Sequence, residues 1–142
     1  MDGIARLSLF ALDCPDPRAL ATFYGAITGW TIDEGETEAV NGGAATPDDD
    51  EEDWVQLRSD GGATLAFQLA PDHQPPHWPD PSRPQQFHLD IMVDDVDMAR
   101  SRVLELGGRQ LAEKDGKYGV YTDPVGHPFC LIHRPRWAPP IG

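Results

Sequence analysis

Hydrophobic and polar positions alternate most regularly over 86–93. Phe87, Leu89, Ile91 and Val93 fall on one face of the predicted strand, and His88, Asp90 and Met92 on the other. One face is built to be covered, while the other carries a His and an Asp where a plain core strand would carry aliphatic residues. Residues 6–13 alternate in the same way, Leu7, Leu9 and Ala11 against Ser8, Phe10 and Leu12. The period then changes. Leu20, Phe23, Tyr24 and Ile27 share a helical face over 18–28, with Asp16 as N-cap, Pro17 at the first helical position and Gly29 as the stop. Asp95 caps a second helix over 96–106, with Val96, Ala99, Val103 and Leu106 near one face and Gly107-Gly108 ending it. Short strands are predicted at 30–33, 54–58 and 63–70, and again at 109–113, 118–122 and 128–133, with turns at 59–62, 114–117 and 123–126.

The order is therefore βαβββ followed by βαβββ. A shift of 79 residues carries Leu9 onto His88, Asp16 onto Asp95 and Gly29 onto Gly108; a shift of 62 carries Phe67 onto Phe129 and Gln68 onto Cys130. The difference of 17 residues fits an insertion at the acidic segment 33–53 of the first copy. The expected organisation is a first module over 1–70 holding that insertion, a Pro-rich linker over 71–85, a second module over 86–133 and a tail over 134–142. The linker reads as extended, without regular structure. The tail reads as loosely packed, with Trp137 as the residue that would dock.

Each module needs its helix to cover an apolar strand face. The expected covered residues are Phe10 and Leu12; Leu65, Phe67 and Leu69; Phe87, Leu89 and Ile91; Phe129 and Leu131. The opposite faces carry Leu9, Gln68, His88 and Cys130. If the two sheets curl together, those four positions point into one central cavity, the usual shape of a small-molecule site. The fold class is α+β, paired βαβββ modules forming a curled mixed sheet.

Charge narrows the choice of partner. The net charge of −13 argues against nucleic acid and anionic membranes, because the phosphate interaction would be repulsive. Ten of the carboxylates lie in 33–53 with no Lys or Arg, which reads as a solvated loop rather than a calcium loop with its fixed ligand spacing. No signal pattern and no apolar run of membrane length is present, so a cytoplasmic protein is expected. Cys14 and Cys130 form no metal motif; isolated thiols suit a reducing cytosol better than a disulfide, which sequence alone leaves open.

The βαβββ repeat, Asp16, Phe23, Tyr24, Gly29 and Trp30 at their spacing, and Asp123-Pro124-Val125-Gly126-His127-Pro128-Phe129 resemble the vicinal oxygen chelate superfamily of glyoxalase I, extradiol dioxygenases and bleomycin- and fosfomycin-resistance proteins. Pro75–Asp80 and Gln85–Asp90 add likeness to its glyoxalase-like bacterial subgroup. The resemblance implies a pocket and, in the enzymes, a divalent metal held by one residue from each of four strands. Those positions are Leu9, Gln68, His88 and Cys130 here, and only His88 is a usual ligand. The glutamate that would also serve as a base is absent from both its places.

The candidate residues differ in what they can do. His88 is a pocket hydrogen-bonding group or a remnant ligand, a metal ligand, or a structural histidine. Asp90 orients His88, fixes a ligand amine or caps a loop. Cys130, between Phe129 and Leu131, reads as a small buried apolar residue, and Gln68 as a polar group in the pocket. Trp54 stacks on a planar ligand or packs in the core, and Trp78 closes the cavity or sits at a subunit seam. His73, His77, His127 and His133 lie in loops, turns or a strand end, and Pro75 and Pro76 forbid the helix that would join the first two. The expected function is binding of a small, partly aromatic molecule without a metal, as in sequestration or resistance, with no catalytic residue assigned. The alternatives are a metal-dependent lyase of glyoxalase I type or a dioxygenase using a divalent metal at His88, and an interaction module pairing strand edges. The resemblance also implies a homodimer.

Overall fold

A computed structural model describes residues 3–35, 52–114 and 118–141. The chain divides into two compact units, Met1–His73 and Gln74–Gly142. The first contains β1 (Leu9–Cys14), α1 (Pro17–Thr28), β2 (Thr31–Ile32), β3 (Trp54–Arg58) and β4 (Thr64–Leu69); the second contains β5 (Leu89–Val93), α2 (Val96–Glu105), β6 (Arg109–Lys114), β7 (Tyr118–Thr122) and β8 (Pro128–His133). Each unit is a four-stranded mixed sheet with one helix. The strand orders match: β1-β4-β3-β2 and β5-β8-β7-β6, with first and last strands parallel and the other pairs antiparallel. The fold is α+β, and its duplicated topology agrees with the repeat in the sequence.

The helices start as the sequence predicts. Asp16 accepts a hydrogen bond from Ala19 N at 3.1 Å and Asp95 one from Met98 N at 3.0 Å, each satisfying a donor of the first turn. Gly29 ends α1 at φ 77°, a left-handed conformation that costs glycine little. After α2 the positive φ falls on Gly107, while a Cβ at Gly108 would meet Val103 Cγ1 at 2.5 Å. The 79-residue shift thus pairs two glycines required for different reasons. Leu20, Phe23 and Tyr24 are buried, and the Tyr24 ring stacks on Phe67 with centroids 5.7 Å apart. In the second unit Tyr121 stacks on Phe129 at 5.9 Å, and Phe129, Leu131 and Val103 are buried.

Several expectations are corrected. β5 starts at Leu89, opposite Phe129, and not at 86. The residue of β8 before Phe129 is Pro128, which has no N–H to extend the ladder. Phe87 therefore lies outside the strand and is 50% exposed, and Phe10, on the face of Leu12 but near the start of β1, is 39% exposed; neither is buried as expected. β1 starts at Leu9, not at 6, and β2 has only two residues. Pairing also shifts the repeat. Ala11 stands opposite Ala66 and Asp90 opposite Cys130, so with Ala11 matched to Asp90 the last strands correspond by 64 residues. Cys130 then matches Ala66, and Gln68 matches Ile132.

The 71–85 segment is not simply extended. His77 N donates to Arg83 O at 2.7 Å, Asp80 N to His77 O at 2.6 Å, and Ser82 N to the Asp80 carboxylate at 2.9 Å. The tail is anchored rather than loose. Arg134 Nε donates to Asp94, Ile141 N donates to the same carboxylate at 2.9 Å, and Arg134 also reaches Ala138 O. These contacts hold the Asp94 carboxyl below its ordinary pKa, the Arg134 side chain contributing most. Trp137 does not dock; it is 81% exposed, and Ala138 is buried instead. Of the acidic segment, Arg18 bridges Glu34 at 2.9 Å and Glu52 at 2.8 Å, and Arg58 pairs with Asp33 at 2.8 Å. The rest of the predicted solvated loop, 36–51, and part of the predicted 114–117 turn lie outside the described residues.

Replacing Phe67 by Ala removes the ring that supports Tyr24. The expected cost is about 3–5 kcal/mol of unfolding free energy, measured by urea titration, against less than ~0.5 kcal/mol for Trp137→Ala at an exposed position.

Candidate functional site

The register of the second sheet brings the polar residues to one place. Asp90 stands opposite Cys130, Cys130 opposite Val120, and Val120 opposite Ala112, a row crossing all four strands. The next row on that face holds Met92, Ile132, Tyr118 and Lys114. The reverse face holds Phe129 and Tyr121, buried with α2. His88 precedes β5 by one residue and sits two residues before Asp90. Its Nε2 lies 3.2 Å from Asp90 Oδ1, with the His88 and Asp90 side chains 42% and 52% exposed.

Cys130 is half-buried and carries a free thiol. Burial above all, then the nearby Asp90 charge and a hydrogen bond to Asp90, push that thiol above its ordinary pKa. It is a hydrogen-bond donor to the carboxylate at neutral pH and a poor nucleophile. The donor atoms of His88, Asp90 and Cys130 all lie within 4.8 Å of one another.

A pocket of about 460 Å³ opens beside this cluster. Its lining includes His88 and Cys130, the aromatic residues Trp78 and Tyr118, and Gln85, Glu113 and Lys114. Trp78 and Gln85 come from the turn-rich segment before β5. Of the residues singled out in the sequence, His88, Asp90, Cys130 and Trp78 are thus gathered in the second unit. The other three lie in the first. Trp54 stands opposite Gln68, and Gln68 opposite Asp13; Leu9 lies on the same face at the other end of β1. Sequence reasoning missed Tyr118, Lys114 and Gln85. The signal for Tyr118 is its two-residue spacing from Val120, the cross-strand partner of Cys130, and that requires the register.

The family model of the glyoxalase-like domain matches residues 9–132. The chain belongs to the glyoxalase-like domain family and with it to the vicinal oxygen chelate superfamily. No curated protein matches it. Among solved structures, a glyoxalase/bleomycin resistance protein/dioxygenase family enzyme from Burkholderia phytofirmans PsJN is similar with a TM-score of 0.64 at 17% identity, over 91% of this chain and 98% of that one. A glyoxalase-related enzyme from Fulvimarina pelagi gives 0.61 at 23%, over 98% and 94%. TnmS3, an antibiotic binding protein from Streptomyces sp. CB03234, gives 0.56 at 22%, over 95% and 100%. At these identities the likeness is one of fold.

The superfamily's four-strand metal set does not fit this chain. Leu9 offers no donor atom, Gln68 only a neutral amide, and Cys130 is held as a thiol by Asp90 and burial.

The raised thiol pKa has a kinetic consequence. Alkylation of Cys130 by iodoacetamide is expected to be slow at pH 8 and to accelerate severalfold in Asp90→Asn, because removing the negative charge brings the thiol pKa down and raises the thiolate fraction. Cys14 is buried and stays unlabelled, so mass spectrometry of the tryptic peptides reads Cys130 alone. An unchanged rate in Asp90→Asn would disprove the coupling.

Proposed function

We propose that this protein binds a small, partly aromatic molecule in the pocket of its second unit and acts by holding it rather than by the superfamily's metal chemistry. The observation that carries the reading is the pocket itself. It is large enough for a drug-sized fragment, it offers two aromatic residues, Trp78 and Tyr118, and it sets Gln85, His88, Glu113, Lys114 and Cys130 around them as polar groups. An apolar wall with a few polar groups suits recognition of a planar molecule bearing one or two hydrogen-bonding atoms. The likeness in fold to an antibiotic binding protein is in keeping with sequestration. The absence of the superfamily's glutamates leaves no carboxylate at either place where its enzymes carry the metal-bound base.

A second reading, a lyase of glyoxalase I type or a dioxygenase with an unusual metal site, is favoured by one observation, the closeness of the His88, Asp90 and Cys130 donor atoms. Turnover assays with hemithioacetals and catechols on metal-supplemented protein separate the two readings.

The binding reading is tested by titrating tryptophan fluorescence with a panel of planar aromatic compounds after removal of metal with a chelator. Saturable quenching is expected for at least one compound. Trp78→Ala should raise its Kd by about threefold to tenfold, the scale of one aromatic contact of ~0.5–1.5 kcal/mol. His88→Ala should raise it as well. A panel with no saturable binder, or affinities unmoved by both substitutions, would refute the proposal.

A further inference from the structure

Resting on the ligand-binding reading, we propose that the molecule held in the pocket of the second unit is a planar aromatic carboxylate, its anionic group paired with Lys114 and a hydroxyl at its far end donating to His88 Nδ1.

Strand alternation decides which charge faces the pocket. Lys114 stands opposite Tyr118, and Tyr118 opposite Ile132, so the lysine belongs to the pocket side of the sheet. Glu113, beside it in sequence, stands opposite Gly119, and Gly119 opposite the buried Leu131, which is the side covered by α2. Glu113 borders the pocket as well, but its carboxylate is engaged on the helix side. Arg100 of α2 donates to it at 3.4 Å and Gln110 at 3.5 Å. Among the described residues no carboxylate pairs with Lys114. The pocket thus has a cation at the β6 edge of the sheet whose charge the protein leaves to be matched, next to the Tyr118 ring. A carboxylate there exchanges water for a charge-assisted hydrogen bond.

The opposite end of the pocket has different chemistry. His88 precedes β5, the other edge strand, and three strand spacings of ~4.8 Å set the two edges about 14 Å apart. The Nε2 atom of His88 lies 3.2 Å from Asp90 Oδ1. In the neutral ring the carboxylate therefore takes the proton-bearing nitrogen, and Nδ1 is left as an acceptor. A ligand hydroxyl suits that atom; a second carboxylate does not, because Asp90 stands behind it. Trp78 and Tyr118 give the apolar contact for a two-ring system between the ends. The net charge of −13 repels an anion at long range. Preference for the acid must then come from contact with one side chain, and substituting that side chain removes it.

The test is calorimetric titration of the full chain, after removal of metal with a chelator, near neutral pH. The probes are a hydroxynaphthoate with its two groups at opposite ends, its primary amide, the naphthoate lacking the hydroxyl, and naphthylmethylammonium. The acid should bind about fivefold to tenfold more tightly than the amide. Lys114→Met should bring that ratio to about one, and Lys114→Arg should keep it. His88→Ala should bring the ratio between hydroxynaphthoate and naphthoate to about one, while the acid-to-amide ratio persists. Far-UV circular dichroism establishes that each variant is folded. Equal binding of acid and amide, tighter binding of the ammonium compound, or a ratio unmoved by Lys114→Met would overturn the assignment, and the ligand-binding reading would stand. If no aromatic compound binds at all, that reading falls, and the acid assignment falls with it.

Discussion

The parallel pairing of first and last strands governs each unit. Two parallel neighbours cannot be joined by a hairpin; the chain must leave the sheet and return, and here the return consists of a helix and two antiparallel strands. The helix then has one face to cover. In the second unit, the register that sets Leu89 against Phe129 for the core also sets Asp90 against Cys130 on the reverse face. A slip of β8 by one residue would exchange its faces, exposing Phe129 and Leu131 and turning Cys130 inward. Both apolar side chains are fully buried, so the slip would cost on the order of several kcal/mol. The polar cluster is thus held in position by aromatic packing on the other side of the sheet.

Much of this was legible without coordinates, because the signals were local. Asp16 and Asp95 announce their helices through a side chain that reaches its own first turn, and Gly29 marks a stop that needs positive φ. Alternation separates Leu89 and Ile91 from Asp90 by chain geometry alone. What stayed hidden depends on which residue lies across from which. Matching Gln68 to Cys130 follows the resemblance of Phe67-Gln68-Leu69 to Phe129-Cys130-Leu131, yet the pairing matches Cys130 to Ala66. No local rule fixes cross-strand register between segments more than 35 residues apart. The same holds for Tyr118 and Lys114: Tyr118 enters the site through Ile132 on β8, and Lys114 through Tyr118 on β7. The anchoring of the tail is not legible in the sequence, because the contact that holds it, Arg134 with Asp94, joins residues 40 apart.

The two copies have diverged in a way that packing explains. Where the second sheet carries Asp90 and Cys130, the first carries Ala11 and Ala66, and Ala66 is fully buried. A carboxylate or thiol at Ala66 would overfill a closed position and would need partners that its neighbours do not supply. The corresponding place in the second unit is half-open: Cys130 is only partly covered, and Asp90 and His88 reach solvent. Polar groups are tolerated there because water can satisfy what the protein does not. The cluster of His88, Asp90 and Cys130 is therefore confined to one copy, while the first presents Leu9, Gln68 and Trp54 on the corresponding face. A duplicated fold permits this divergence, since each sheet keeps its own helix-covered core whatever the reverse face becomes.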